Sequence, residues 1–282
     1  MQNLIAYIKN ELNGLYPESE IQSFVRIILS HTTGRAYALV MVESSGVLSS
    51  DDRATAERIV QRLKDYEPIQ YILGETEFMG LPFKVNQDTL IPRPETEELV
   101  ECILNENPTS NLSVLDIGTG SGCIAIALAK YLKNAEISGW DFSEAALTIA
   151  RENATLNKVS VNFDCVDILN EYPTDKKFDI IVSNPPYVME SEKQEMEDNV
   201  LRYEPHTALF VPDNEALIFY ERIADIAKRI LLSDGRLYFE INQAKGADMQ
   251  DMLAEKGFCD IQLYKDISGR DRIVCASLNS SI

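Results

Sequence analysis

The five cysteines, Cys102, Cys123, Cys165, Cys259 and Cys275, contain no Cys-x-x-Cys pair, and the only histidines are His31 and His206. Such spacing indicates neither a disulfide framework nor a zinc site, and no metal is expected. No run approaches the roughly 18 apolar residues that a membrane span needs. The start, Met1-Gln2-Asn3-Leu4, lacks a basic segment leading into an apolar core. These absences point to a cytoplasmic protein that does not engage a membrane. Positive charge is scarce as well: 26 Lys and Arg stand against 45 Asp and Glu, a formal net charge of -19. Indiscriminate binding to a phosphate backbone is driven by clustered Lys and Arg. Direct nucleic-acid binding is therefore disfavoured, although a local basic patch would escape an argument from net charge. Internal repeats and low-complexity segments are also missing.

What is present is an ordinary globular composition, 45% hydrophobic and 25% charged over 282 residues, enough for one large domain and a small one. Residues 1 to about 66 read as four or five short helices. Leu4, Ile5, Ile8 and Leu12 share one helical face, as do Ile21, Phe24, Val25 and Ile28. Ser49-Ser50-Asp51-Asp52 is a helix start, continued by the stripe Ala56, Ile59, Val60 and Leu63. Breaks fall at Gly14 to Pro17, Thr32 to Gly34 and Ser44 to Ser50. His31, between an apolar helix and a Thr-Thr-Gly turn, reads as a capping or surface residue.

The small helical domain spans 1-74 and ends in Pro68-Ile69-Gln70-Tyr71-Ile72-Leu73-Gly74. Two β-like segments about Gly80 suggest a hairpin linker over 75-90. Leu90-Ile91-Pro92-Arg93-Pro94-Glu95-Thr96-Glu97 then opens a helix and a third region, 91-282, with prolines and acids placed for a helix entrance. From residue 113 strands alternate with helices, the signature of a parallel sheet covered on both faces. Strands are expected near 113-117, 136-140, 161-165, 178-183, 235-241, 258-264 and 272-278. Helices are expected near 121-132, 143-156, 214-232 and 245-256. The last two strands suit an antiparallel hairpin at the sheet edge. The acidic insertion 187-213 has the length of a lid over a site.

Val114-Leu115-Asp116-Ile117-Gly118-Thr119-Gly120-Ser121-Gly122 is a strand, a glycine turn and a helix start. Alternate glycines let the backbone turn sharply and leave room for a ligand at the helix N-terminus. The dinucleotide fingerprint has G-x-G-x-x-G. Here the spacing is Asp-x-Gly-x-Gly-x-Gly, which resembles motif I of the Rossmann-like methyltransferases that bind S-adenosylmethionine. The loop residues Gly118, Thr119, Gly120, Ser121 and Gly122 are thus the candidate cofactor loop. About twenty residues on, the second strand ends at Asp141. Its carboxylate can accept from both ribose hydroxyls or can merely cap the helix beginning at Ser143, and alone the two readings carry similar weight. Asp167 and Ile168 follow the third strand and are candidates for the adenine's amine and face. Asn184-Pro185-Pro186-Tyr187 follows the apolar run 178-183. Two prolines must end that strand, leaving a stiff corner with an amide, free carbonyls and a ring, suited to a planar NH2 group. Asn-Pro alone would be an ordinary strand-ending turn.

Motif I, the acid after the second strand and Asn-Pro-Pro-Tyr in this order resemble the HemK/PrmC family of protein-glutamine N5-methyltransferases. The likeness extends to the strings at 68-74 and 90-97, to Tyr203-Glu204-Pro205 and to Lys265-Asp266-Ile267-Ser268-Gly269-Arg270-Asp271-Arg272. The sequence departs at Ile168, where some members carry an aromatic residue, a difference that bears on adenine packing alone. The resemblance implies a class I methyltransferase domain with a seven-stranded, mostly parallel sheet and a helical N-terminal domain that docks substrate. It also implies methyl transfer from S-adenosylmethionine to the side-chain amide nitrogen of glutamine in the Gly-Gly-Gln motif of peptide chain release factors. Asn184 and Pro185 would accept the two N-H bonds, Pro186 would complete the corner, Tyr187 would pack on the amide plane, and Asn184 would also border the cofactor. Asn-Pro-Pro-Tyr occurs too in enzymes that methylate exocyclic amines of adenine or guanine, the rival reading. A non-reacting scaffold bearing a protein-binding module is the third.

Overall fold

The computed structural model describes residues 2–42, 49–108 and 111–278, the Met41 side chain excepted. The chain forms two compact units, Met1–Leu73 with Glu197–Tyr203, and Gly74–Met196 with Glu204–Ile282.

The first unit holds α1 (Gln2–Leu12), α2 (Glu18–Thr33), α3 (Tyr37–Val42), α4 (Ser50–Lys64) and α5 (Ile69–Leu73). Leu4, Ile8 and Leu12 of α1 bury against Ile21, Phe24, Val25 and Ile28 of α2 and against Ala56, Ile59, Val60 and Leu63 of α4. Each aliphatic so buried contributes about 1.5–3 kcal/mol, and the three-helix seam is what makes so small a unit viable. Gly34 ends α2 in the left-handed region, φ 64°, with its N–H donating to the Ser30 carbonyl. Ser49 starts α4 with a reciprocal cap: its hydroxyl accepts from Asp52 N and Asp52 Oδ2 accepts from Ser49 N. Most of the break expected at 44-50 lies outside the described residues.

The second unit opens with an antiparallel hairpin, β1 (Glu75–Phe78) and β2 (Leu81–Lys84). Then come α6 (Pro94–Glu106), β3 (Ser113–Ile117), α7 (Cys123–Tyr131), β4 (Glu136–Asp141), α8 (Glu144–Asn157), β5 (Asn162–Cys165) and β6 (Phe178–Ser183). Past β7 (Val188–Met189) the chain contributes α9 (Asp198–Tyr203) to the first unit. It continues through β8 (Phe210–Val211), α10 (Ile218–Ile230), β9 (Leu231–Glu240), α11 (Gly246–Glu255), β10 (Phe258–Lys265) and β11 (Asp271–Leu278). Seven strands make one sheet in the order β10-β11-β9-β6-β3-β4-β5, parallel except that β11 runs against both neighbours. The strands read as apolar runs because both faces are covered, and two separate clusters of buried side chains lie on them.

Two expectations are corrected. The helix expected over 214-232 is confined to Ile218–Ile230, preceded by a short 3-10 turn at Asp213–Glu215, and the strand expected from 235 begins at Leu231. Leu231 and Leu232 continue the apolar pattern of α10 by composition, but Leu231 is extended and pairs with Phe178. A register shift then brings Arg236 opposite Ile180. The insertion 187-213 has short elements of its own: Val188 and Met189 pair in parallel with Phe210 and Val211, and the strands are bridged by short helical turns.

The sheet order turns back at β3, whose partners are β4 on one side and β6 on the other. Open α/β sheets bind ligands outside the carboxyl ends of the strands at such a point. Register aligns the loops there. Ile117 pairs with Trp140 and Ser183, Asp141 with Cys165, and Ser183 with Phe239. Gly118, Asp141, Val166, Asn184 and Glu240 therefore leave the sheet side by side.

Candidate active site

The carboxyl edge opens on a cleft of about 890 Å³, its open mouth included. Its lining takes in Gly118, Gly120, Asp141, Asp167, Ile168, Asn184, Pro185 and Pro186, which the sequence places up to 68 residues apart. Thr119, Ser121, Gly122 and Tyr187 do not line it. Thr119 is turned inward, its hydroxyl donating to Asp116 Oδ2 at 2.6 Å; Ser121 is buried, and Gly122 caps α7 against Ala150. Tyr187 borders a neighbouring depression with Arg270, Arg272, Glu192 and Asn242.

The glycine turn is held by the strand beside it. Gly118 N and Thr119 N both donate to the Trp140 carbonyl, at 2.8 and 3.0 Å. Gly118 and Gly120 have φ of +73° and +54°, where a side chain is strained, and open space lies where their Cβ atoms would stand. That space belongs to the cleft. Beneath the turn, Asp116 is fully buried; Oδ1 lacks a partner among the described residues, and burial pushes its carboxyl up to about 7.

Asp141 caps α8 and at the same time lines the cleft. Oδ1 accepts from Ser143 N at 2.9 Å at the entrance to α8, and Oδ2 accepts from Gly120 N at 2.8 Å. Each oxygen keeps a second lone pair for a ligand hydroxyl. Burial raises its pKa, against the pull of these backbone donors. Asp167 is drawn partly into its own turn, accepting from Leu169 N and Asn170 Nδ2. Ile168 offers a buried apolar face.

The wall over the loops joins two distant strings. Glu204 is buried, accepts from Ile91 N at 3.2 Å and pairs with Arg93, so the segment at 90-97 is tied to Glu204. Thr89, Leu90, Pro205 and Ala208 reach the cleft from there.

At the Asn-Pro-Pro-Tyr corner, Asn184 Nδ2 donates to Thr96 Oγ1 at 3.2 Å. Thr96 Oγ1 donates to Glu240 Oε2 at 2.6 Å, and the Tyr187 hydroxyl donates to Glu240 Oε1 at 3.1 Å. Among the described residues nothing donates to Asn184 Oδ1 or to the Pro185 carbonyl. The corner thus presents two acceptors and no strong base, and burial raises both the Tyr187 hydroxyl and the Glu240 carboxyl.

Three residues escaped the sequence reading. Phe142, 57% exposed, lines the cleft directly after Asp141; an apolar residue following the candidate ribose acid was the available signal. Glu240 is a lone acid in the apolar run Leu237-Tyr238-Phe239-Glu240-Ile241, the mark of a buried carboxylate that needs partners. Thr96 had no signal beyond lying in the string at 90-97. Among the described residues, no helix is long and apolar enough to cross a membrane.

Comparison with known proteins is consistent along the whole chain. Residues 3–74 match the model of the PrmC N-terminal domain and residues 94–204 that of the methyltransferase small domain. The release factor glutamine methyltransferase of Flavobacterium psychrophilum is 49% identical over 267 residues, 93% of this chain and 94% of the relative. That of Bacteroides thetaiotaomicron is 46% identical over 278 residues, 98% and 100% of the two chains. A methyltransferase structure from Pyrococcus furiosus shares the fold, with a TM-score of 0.53 at 15% identity over 82% of this chain and all of that one.

Proposed function

Because the chain belongs to the family of release factor glutamine methyltransferases, we propose that it methylates the side-chain amide nitrogen of glutamine in the Gly-Gly-Gln motif of peptide chain release factors, with S-adenosylmethionine as donor. One observation carries this reading: the amide oxygen of Asn184 and the carbonyl of Pro185 are unengaged acceptors on a cleft shared with the glycine turn and Asp141. A primary amide has two N–H donors in one plane, which two fixed acceptors match.

The residues present fit S-adenosylmethionine. Open space beside Gly118 and Gly120 admits a ligand against the backbone, Asp141 offers acceptors to a ribose, and Phe142, Val166 and Ile168 offer apolar faces to an adenine. When bound, the cofactor supplies an electrophilic methyl group. The remaining chemistry belongs to the protein's own groups. An amide nitrogen is a poor nucleophile because its lone pair is delocalised, so orientation matters more than basicity. Asn184 Oδ1 and the Pro185 carbonyl hold the two N–H bonds and fix the nitrogen in one direction. Their dipoles also match the positive charge that develops on nitrogen during transfer.

The helical unit serves as the grip for the protein substrate, away from the reacting glutamine. In support, Leu39 and Val42 of α3 are 59% and 82% exposed, the most exposed large aliphatics among its described residues. A Leu39→Asp, Val42→Asp double variant should raise KM for the release factor and leave S-adenosylhomocysteine affinity unaltered; an unaltered KM counts against the grip.

Tritiated S-adenosylmethionine incubated with a release factor, a glutamine-substituted release factor, DNA and RNA tests the substrate. Label on the first alone is expected. Label on nucleic acid would favour base-amine methylation, and label on none would favour a non-reacting scaffold.

A further inference from the structure

The proposed reaction needs Asn184 to face the cleft with its oxygen and not its NH2 group, yet the two ends of an amide have nearly the same shape. What chooses between them lies outside the motif. Thr96, on α6, and Glu240, at the end of β9, are both buried, and Glu240 is only 1% exposed. Hydrogen bonds run from Asn184 Nδ2 to Thr96 Oγ1 at 3.2 Å and from Thr96 Oγ1 to Glu240 Oε2 at 2.6 Å.

The direction of this chain is set at its charged end. An ionised carboxylate only accepts. The single Thr96 proton is therefore committed to Glu240, in a bond of the short, charge-assisted kind. Thr96 Oγ1 then has only lone pairs to offer, and the Asn184 end that meets it must be the donor. The opposite end, Oδ1, is left as acceptor. The second Glu240 oxygen is filled by the Tyr187 hydroxyl at 3.1 Å, and the Glu240 main-chain carbonyl accepts from the Tyr220 hydroxyl at 3.0 Å. The carboxylate is thus anchored at both oxygens and at its backbone. Arg272, also buried, supplies compensating charge nearby and is itself held by Asp266 and the Ile241 carbonyl. Without the carboxylate, Thr96 could turn its proton to Asn184 Oδ1 and the amide would present NH2 to a substrate that also brings NH2.

We propose that Glu240, acting through Thr96, sets which end of the Asn184 amide faces the cleft, so that both are positioning residues for the methyl acceptor. The proposal rests on the functional reading above for its kinetic consequence, but the orientation itself is a property of the protein without substrate.

The experiment pairs kinetics with a spectroscopic readout. Wild type, Glu240→Gln, Thr96→Val and Thr96→Ser are compared for kcat, for KM of the release factor, and for S-adenosylhomocysteine affinity by Trp140 fluorescence. Glu240→Gln keeps the shape but offers a donor as readily as an acceptor; Thr96→Val removes the relay; Thr96→Ser restores it. In 15N-asparagine-labelled protein the Asn184 NH2 signal is identified by its loss in Asn184→Asp, and its protection from solvent exchange is measured without substrate. Glu240→Gln and Thr96→Val should lower kcat about tenfold or more, with KM and S-adenosylhomocysteine affinity within about threefold, and should abolish the NH2 protection. Thr96→Ser should keep both. Unchanged protection in Glu240→Gln, or a kcat within about twofold of wild type, overturns the proposal. Should one variant fail to fold, the other decides by the same two measurements. If wild type methylates no release factor, the functional reading fails, while the exchange data still decide whether Glu240 orients the amide.

Discussion

Asp141→Asn separates the cofactor role of this residue from its role in the fold. In the native protein Oδ2 accepts from Gly120 N at 2.8 Å and Oδ1 from Ser143 N at 2.9 Å. Asparagine has the same shape but one acceptor oxygen, so its NH2 must face one of these backbone N–H groups. Leaving that buried donor unpaired costs about 1–3 kcal/mol. A second effect has the opposite sign. Burial raises the Asp141 pKa, so its ionised form is less favoured folded than unfolded. That penalty is absent below the unfolded pKa, grows as pH rises through the folded one, and is removed in the variant at neutral pH. The two effects oppose each other, so Tm at neutral pH should fall by less than loss of the backbone hydrogen bond alone would cause. Ligand binding has no such compensation. Loss of a charge-assisted acceptor to a ribose hydroxyl is worth about 1.5–3 kcal/mol, a Kd for S-adenosylhomocysteine roughly 10- to 150-fold weaker. The assay is intrinsic fluorescence, because Trp140 is the only tryptophan of the chain and borders the cleft. A Kd within twofold of wild type, with Tm unchanged, would refute the ribose role and leave Asp141 a helix cap.

Asn184→Ala should lower kcat by about 10²–10³, the effect of losing one preorganised polar contact to developing charge, while S-adenosylhomocysteine affinity stays within about threefold; a small kcat effect removes the acceptor role. Phe142→Ala should weaken S-adenosylhomocysteine binding about tenfold through lost aromatic contact, read by the same Trp140 titration, and an unaltered Kd would mean the exposed ring does not meet the ligand. Asp116 gives a pH test. Its carboxyl moves from an ordinary 3.8 to about 7, so its own contribution to stability is fully present at low pH and is lost as pH rises through about 7, a loss on the order of a few kcal/mol. The difference in urea midpoint between wild type and Asp116→Asn, followed by Trp140 fluorescence, should shift in favour of the variant as pH rises through about 7; parallel profiles would contradict the raised, buried carboxyl.

Local chemistry was readable wherever the determinant is local. The glycine turn announces itself because its positive φ values at Gly118 and Gly120 exclude other side chains, and the two prolines after Asn184 end β6 whatever the rest of the chain does. Parallel strands such as Phe178–Ser183 stand out as short β-branched runs covered on both faces. The boundary at Leu231 was not legible, because leucines after an apolar helix fit either period and only pairing with Phe178 decides. The Thr96–Glu240 pair was not legible for a different reason: its members lie 144 residues apart and meet only after the register of β6 and β9 has set Glu240 beside Asn184. Membership of Glu197–Tyr203 in the helical unit is likewise a tertiary fact, carried by no pattern within those seven residues.

The most direct test is to digest the release factor after reaction with labelled S-adenosylmethionine and locate the methyl group, using wild-type protein and Asn184→Ala side by side. A single methyl on the side-chain nitrogen of the Gly-Gly-Gln glutamine is expected with wild type, and little in the same time with the variant. A methyl on any other atom, or equal labelling by the two proteins, would contradict the proposed reaction.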